Sequence, residues 1–125
     1  MLLAVNGTLM RGLELNQNLL AVGGEFVREA QTAACYRLWS IGDRYPAMQR
    51  DEQHGVVVSL EVWEITPEGL VRILENEPPG LAIGRILLAD GASVLGVLAE
   101  AYILAGQAEI SAYGGWRAYR NAAAG

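Results

Sequence analysis

Lysine is missing from this sequence. All nine basic residues are arginine, scattered from Arg11 to Arg120, and fourteen acidic residues outnumber them for a net charge of −5. A nucleic-acid-binding surface needs a basic face, and this distribution offers none. The single cysteine, Cys35, excludes an intrachain disulfide and fits a reducing compartment. Within Thr32–Tyr36 it reads as a small buried thiol, not a nucleophile. The single histidine, His54, excludes a multi-histidine metal site, and the lack of a Cys-x-x-Cys pair argues against zinc. No metal and no cofactor is expected. The Gly-x-Gly-x-x-Gly and P-loop patterns are absent, which argues against nucleotide use. Ser40, Ser59, Ser93 and Ser111 all lie outside a Gly-x-Ser-x-Gly elbow, which argues against a serine triad. No charged segment precedes the first apolar residues, so no signal peptide is expected. The longest apolar stretch, Val94–Leu104, is broken by Gly96 and Glu100 and falls short of the roughly 20 residues of a bilayer span. These absences describe a soluble, cytoplasmic protein that touches neither membrane nor nucleic acid.

What is present is apolar: 52% of the residues are hydrophobic and 18% charged, enough for a core-rich single domain of 125 residues. One domain is expected over residues 1–121, with a frayed tail from Ala122. The opening run Leu2–Val5 reads as a buried strand. It enters the small-residue turn Asn6-Gly7-Thr8-Leu9, which is either a plain exit from the core or an anion-facing pocket floor made of backbone N–H groups. Leu15, Leu19 and Val22 repeat at helical spacing, and Gly23-Gly24 can stop that helix. Glu25–Ile41 reads as extended chain with a bend near Ala33-Ala34.

Gly42–Gly55 reads as a polar loop around one apolar island, Tyr45-Pro46-Ala47-Met48. Loops of this length are often functional. Val56–Ile65 is the clearest strand, alternating from Val58 and breaking at Trp63, where a bulge is expected. Thr66 suits an N-cap and Pro67 the first helical position. That helix must end before Pro78-Pro79-Gly80. Leu81–Leu88 and Val94–Leu104 read as strands joined by an Asp90-Gly91 hairpin turn. The β-α-β-β-α-β-β order predicts an α+β domain on a strongly curved or barrel-like sheet, with at least two flanking helices. The apolar Val94–Leu104 strand would allow a homodimer.

Carboxylates are the remaining candidates for chemistry. Glu75 and Glu77 lie at the end of the second helix against a rigid double proline. Either is a solvated helix-end charge or, if burial raises its pKa, a general acid/base. His54 reads as a surface histidine or as an acid/base at a pocket rim.

Together these pieces resemble the γ-glutamylcyclotransferase-like fold. That family has a first strand running into a Tyr-Gly-Ser-Leu turn, a Tyr-Pro loop, a Gly-Val-Val strand and a helix-end glutamate. Here Asn6-Gly7-Thr8-Leu9, Tyr45-Pro46, Gly55-Val56-Val57 and Leu74-Glu75-Asn76-Glu77 stand in those places, with Asn6 where the family has tyrosine. Within that fold the chain is similar to the C-terminal domain of allophanate hydrolase. It shares Leu13-x-Leu15-Asn16, Glu61-Val62-Trp63, a Pro78–Gly84 segment and the tail Gly114-Gly115-Trp116-Arg117-Ala118-Tyr119. The resemblance implies a small, curved or closed mixed β-barrel and a metal-independent enzyme, hydrolase or transferase, acting on a small carboxylated amide. One implied reaction is the decarboxylation or hydrolysis of an N-carboxycarbamate left by a partner amidase. The other is cyclotransfer with release of 5-oxoproline. A non-catalytic binding or interaction module of the same fold is the third. For cyclotransfer the implied site is Glu77 as acid/base with the backbone amides of Gly7, Thr8 and Leu9. A carboxycarbamate hardly needs a glutamate base and is better suited by those amides with Asn6, Arg44 and His54. Tyr45, Pro46 and Trp116 complete the implied pocket.

Overall fold

The computed structural model describes all residues from Met1 to Gly125. The apolar opening run forms β1 (Leu2–Val5), and Leu3, Ala4 and Val5 are buried because β1 has a neighbour on each side. β5 (Ser59–Glu64) pairs antiparallel along one edge of β1, and β7 (Ser93–Ala99) pairs parallel along the other. β2 (Glu25–Gln31) extends the sheet beyond β5 and β6 (Leu81–Leu87) beyond β7, giving the order β2-β5-β1-β7-β6. A second sheet holds β3 (Tyr36–Ile41) between β4 (Tyr45–Arg50) and β8 (Ala108–Glu109). Three helices complete the fold: α1 (Asn16–Ala21), α2 (Pro67–Glu75) and α3 (Trp116–Ala124). None is long and apolar enough to cross a membrane.

The mixed α+β class, the curvature and the flanking helices agree with the sequence; barrel closure does not. The first sheet curls until its two edges touch at one bridge, Thr32 to Leu88, where Ala33 N donates to Leu87 O and Ala89 N to Gln31 O. There the chain turns through Ala33-Ala34 into the second sheet, and the ladder goes no further. The barrel is therefore not closed, and β2 stays a largely exposed edge strand.

Other differences have simple causes. The apolar island of the expected loop is strand β4. Pro46 is tolerated there because β4 is an edge strand and needs no second ladder. The bulge lies not at Trp63 but on the neighbouring strand: the register shifts between Phe26 and Arg28, facing Trp63 and Val62. The last apolar stretch leaves the sheet after Ala99 and turns into a 3-10 helix at Ala101–Leu104. Since β7 has β1 and β6 on its two sides, it offers no free edge to a second copy. α2 forms as expected: Thr66 caps it by accepting from the Gly69 amide at 3.0 Å, and Pro67 starts it. The core gathers Leu3, Leu38, Leu60, Val62, Trp63, Ile86 and Trp116 between the sheets and helices.

Candidate functional site

The turn after β1 is buried from Asn6 to Met10. The amide of Met10 closes it onto Gly7 O at 3.0 Å, the Leu15 amide donates to Thr8 O, and the Asn16 side chain donates to Leu9 O. The carbonyls of Gly7, Thr8 and Leu9 are thus all engaged. Their three amides are not: none donates to a group of the protein. Buried backbone donors are nearly always paired, so three in succession call for an acceptor from outside the chain. Consecutive N–H groups in a turn form a concavity suited to an anion.

The β3–β4 hairpin presses against this turn. A Cβ on Gly7 would lie 2.5 Å from Pro46 Cδ and 2.7 Å from Cγ, so only glycine admits the proline ring at that distance. A small hollow of about 20 Å³ results, lined by Asn6, Gly7, Thr8, Leu9, Tyr45, Pro46 and Glu77 together with Val5, Leu81 and Val97. It has room for little more than one water-sized group, each of which takes roughly 10–15 Å³. A wider hollow of about 530 Å³ adjoins it and shares Thr8, Tyr45 and Glu77. Its other walls are Glu14, Leu15, Asp43, Arg44, Pro78 and Arg120.

Glu77 sits two residues beyond the end of α2, its amide held by Leu74 O at 3.2 Å and its exit fixed by Pro78-Pro79. The side chain is half-buried and bordered by both hollows. Burial pushes its pKa above the usual carboxylate range. Glu75, the last residue of α2, is exposed and borders neither of these hollows.

The structure therefore brings seven of the residues singled out in the sequence around the inner hollow and Arg44 into the outer one. Two stand apart. His54 lies on an exposed turn, where its amide donates to Asp51 Oδ1 at 2.9 Å and its ring is 3.8 Å from the same oxygen. Trp116 is wholly buried in the core against Tyr119, and borders a separate hollow of about 440 Å³ with Met10, Glu61 and Arg117. Asn6 borders the inner hollow, but its side-chain NH₂ is engaged inward, donating to Val97 O at 3.2 Å beside Met48 Sδ.

Sequence reasoning passed over three groups. Asp43 and Gly42 both have positive φ, as a tight hairpin turn requires. Hydrogen bonds from Ser40 and Tyr119, with the Arg120 charge nearby, hold the Asp43 carboxyl below its ordinary range. Arg120 follows Trp116 by one helical turn, a spacing legible only once the tail is read as helix. Glu61 looked like an outward residue of an alternating strand; it is 2% exposed. It accepts from the Arg11 amide (2.9 Å), Arg11 Nε (3.2 Å), Trp63 Nε1 (3.1 Å) and the Arg117 guanidinium (3.1 Å). Burial pushes its pKa up, and these four donors outweigh that and leave it lowered.

The profile of the family described as the allophanate hydrolase C-terminal domain matches residues 1–121. The urea amidolyase of Saccharomyces cerevisiae is 27% identical over 124 residues, 94% of this chain, and that of Lachancea kluyveri is likewise 27% identical over 124 residues. The chain spans 7% of the length of either protein. Among solved structures, a uropathogenic E. coli-specific protein is 56% identical with a TM-score of 0.94, over 96% of this chain and 94% of that one. Kluyveromyces lactis allophanate hydrolase superposes with a TM-score of 0.92 over 98% of this chain and 21% of that one, at 24% identity, a likeness of fold.

Proposed function

The chain belongs to the family of the allophanate hydrolase C-terminal domain, and on that premise we propose that its Gly7–Leu9 turn binds the carboxylate of a small carboxylated amide of the N-carboxycarbamate type. The observation that carries this reading is the set of three buried amides with no partner in the protein. Glu77 is the proton donor. Its raised pKa keeps it protonated further up the pH scale than an ordinary glutamate. On decarboxylation the N–C bond breaks, CO₂ leaves, and the nitrogen keeps the electron pair and takes the Glu77 proton. Solvent then restores that proton. An amidase, supplied by another domain or another chain, would furnish the substrate, and the reaction would run in the cytoplasm, where buried Cys35 stays a free thiol.

A second reading uses the same two features: a γ-glutamylcyclotransferase-like fold and chemistry, with Glu77 as acid/base and 5-oxoproline as product. It is favoured by the placing of Gly7, Tyr45, Pro46 and Glu77 around one hollow. In a third, the amides bind a ligand without turnover. Purified protein is incubated with allophanate and an added amidase, following CO₂ and ammonia, and with γ-glutamyl amino acids, following 5-oxoproline. Turnover that Glu77→Gln removes is the expected result. Turnover unchanged by that substitution, or none on either substrate, refutes catalysis by Glu77.

A further inference from the structure

Resting on the reading of the Gly7–Leu9 turn as the substrate site, we infer that the substrate is an extended amide or carbamate with a second, distal oxyanion, bound by Arg44 and Arg120. The size of the two hollows leads there. The inner one, at about 20 Å³, admits an oxygen or two of the reacting end. The outer one, open to solvent and about 530 Å³ in volume, adjoins it and leaves room for a longer molecule.

Two arginines, Arg44 and Arg120, and three carboxylates, Glu14, Asp43 and Glu77, line the outer hollow. Asp43 is committed to Ser40 and Tyr119. Arg44, on the turn just past Asp43, is exposed and forms neither an ion pair nor a side-chain hydrogen bond; its chain folds back so that a Cβ on Gly42 would sit 3.6 Å from Nε. Arg120 comes from the opposite side on α3. Its guanidinium is steadied over the Trp116 ring at 5.3 Å and lies 3.8 Å from Glu14, too far for a hydrogen bond. Two guanidinium forks with donors to spare, facing one cavity from two elements, suit a carboxylate or phosphate. Glu77, shared by the two hollows, falls between this pole and the amide pole. Arg120 thus acts as a specificity-determining residue of the tail helix, and buried Trp116 positions it.

Three stable probes test this by calorimetric titration of the full chain: oxamate, N-propyloxamate and N-oxalylglycine. All share the reacting end; the second adds length and the third adds length with a carboxylate. The expected result is N-oxalylglycine bound at least about tenfold more tightly than either other probe. In the double variant Arg44→Gln, Arg120→Gln that advantage falls to within about twofold. Oxamate binding with no preference for N-oxalylglycine over N-propyloxamate overturns the second pole and leaves the amide turn standing. A preference that survives in the double variant overturns the assignment to these arginines. Failure of all three to bind refutes the turn as a carboxylate site, and this inference with it.

Discussion

Glu61 and Glu77 are both carboxylates drawn out of water, and their pKa values move in opposite directions. Glu61 is the more deeply buried, yet it titrates low because Arg11, Trp63 and Arg117 all donate to it. Glu77 is only half-buried, yet it titrates high because nothing donates to it. Burial sets the cost of the charge, and partners decide whether it is met. The first group serves structure: it ties β5 to the residue after the amide turn and to α3, and Arg117 also donates to Arg11 O. The second is left free to exchange a proton.

Substitutions can break this contrast, taken in order of their effect on stability. Glu61→Ala removes the shared acceptor of two arginines and an indole. It should cost about 3 kcal/mol, read as a lower urea midpoint with an unchanged slope. Gly7→Ala puts a methyl group into the Pro46 ring and should cost about 1–3 kcal/mol; unlike Glu61→Ala, it should also abolish carboxylate binding in a calorimetric titration. Acidification sharpens the contrast by sign. The folded pKa of Glu61 is depressed, so its contribution is present above its unfolded value near 4.3 and is lost as pH falls through the folded one. Glu77 is raised. The protonated form is the more stable one in the fold, so its effect on stability is most favourable below the unfolded value and is lost as pH rises through the folded one. Glu77→Gln should therefore melt no lower than the parent at pH 8, while turnover drops by about 10²–10⁴-fold. The parent's rate should fall as pH rises through the raised Glu77 pKa, because the proton donor is lost. His54→Ala, on an exposed turn away from both hollows, should change neither melting temperature nor turnover.

The contrast between the two glutamates was half legible in the sequence. Glu77 could be singled out because Pro78-Pro79 marks a rigid helix exit and because the resemblance put an acid there. Nothing local marked Glu61. Its charged partners, Arg11 and Arg117, are about 50 residues away on either side of it in the chain, and period-two alternation reads a polar residue as solvent-facing. β5 defeats that rule because both its faces are covered from Leu60 to Trp63. The same limit hid β4. Tyr45-Pro46-Ala47-Met48 was too short and too proline-marked to read as a strand, and only its pairing with β3 makes it one. Elements set by local chemistry were readable: the Thr66 cap, the Asp90-Gly91 turn and the apolar opening run. Arg120 was passed over because the aromatic, glycine-rich tail was not read as a helix, which is what places it one turn after Trp116 on α3.

The pairing of β1 has a consequence for time. Residues 2–5 are synthesised before their partners, residues 61–64 on one side and 95–96 on the other. A polypeptide made in that order holds this apolar segment unmatched until β7 has been synthesised. Such long-range closure slows folding, because the entropy of ordering a long loop is lost before any contact compensates. The amide turn is continuous with β1, so it acquires its shape only when β7 docks. No N-terminal fragment that stops short of β7 should hold a formed pocket. During synthesis, Leu2–Val5 is the segment a chaperone would have most reason to shield.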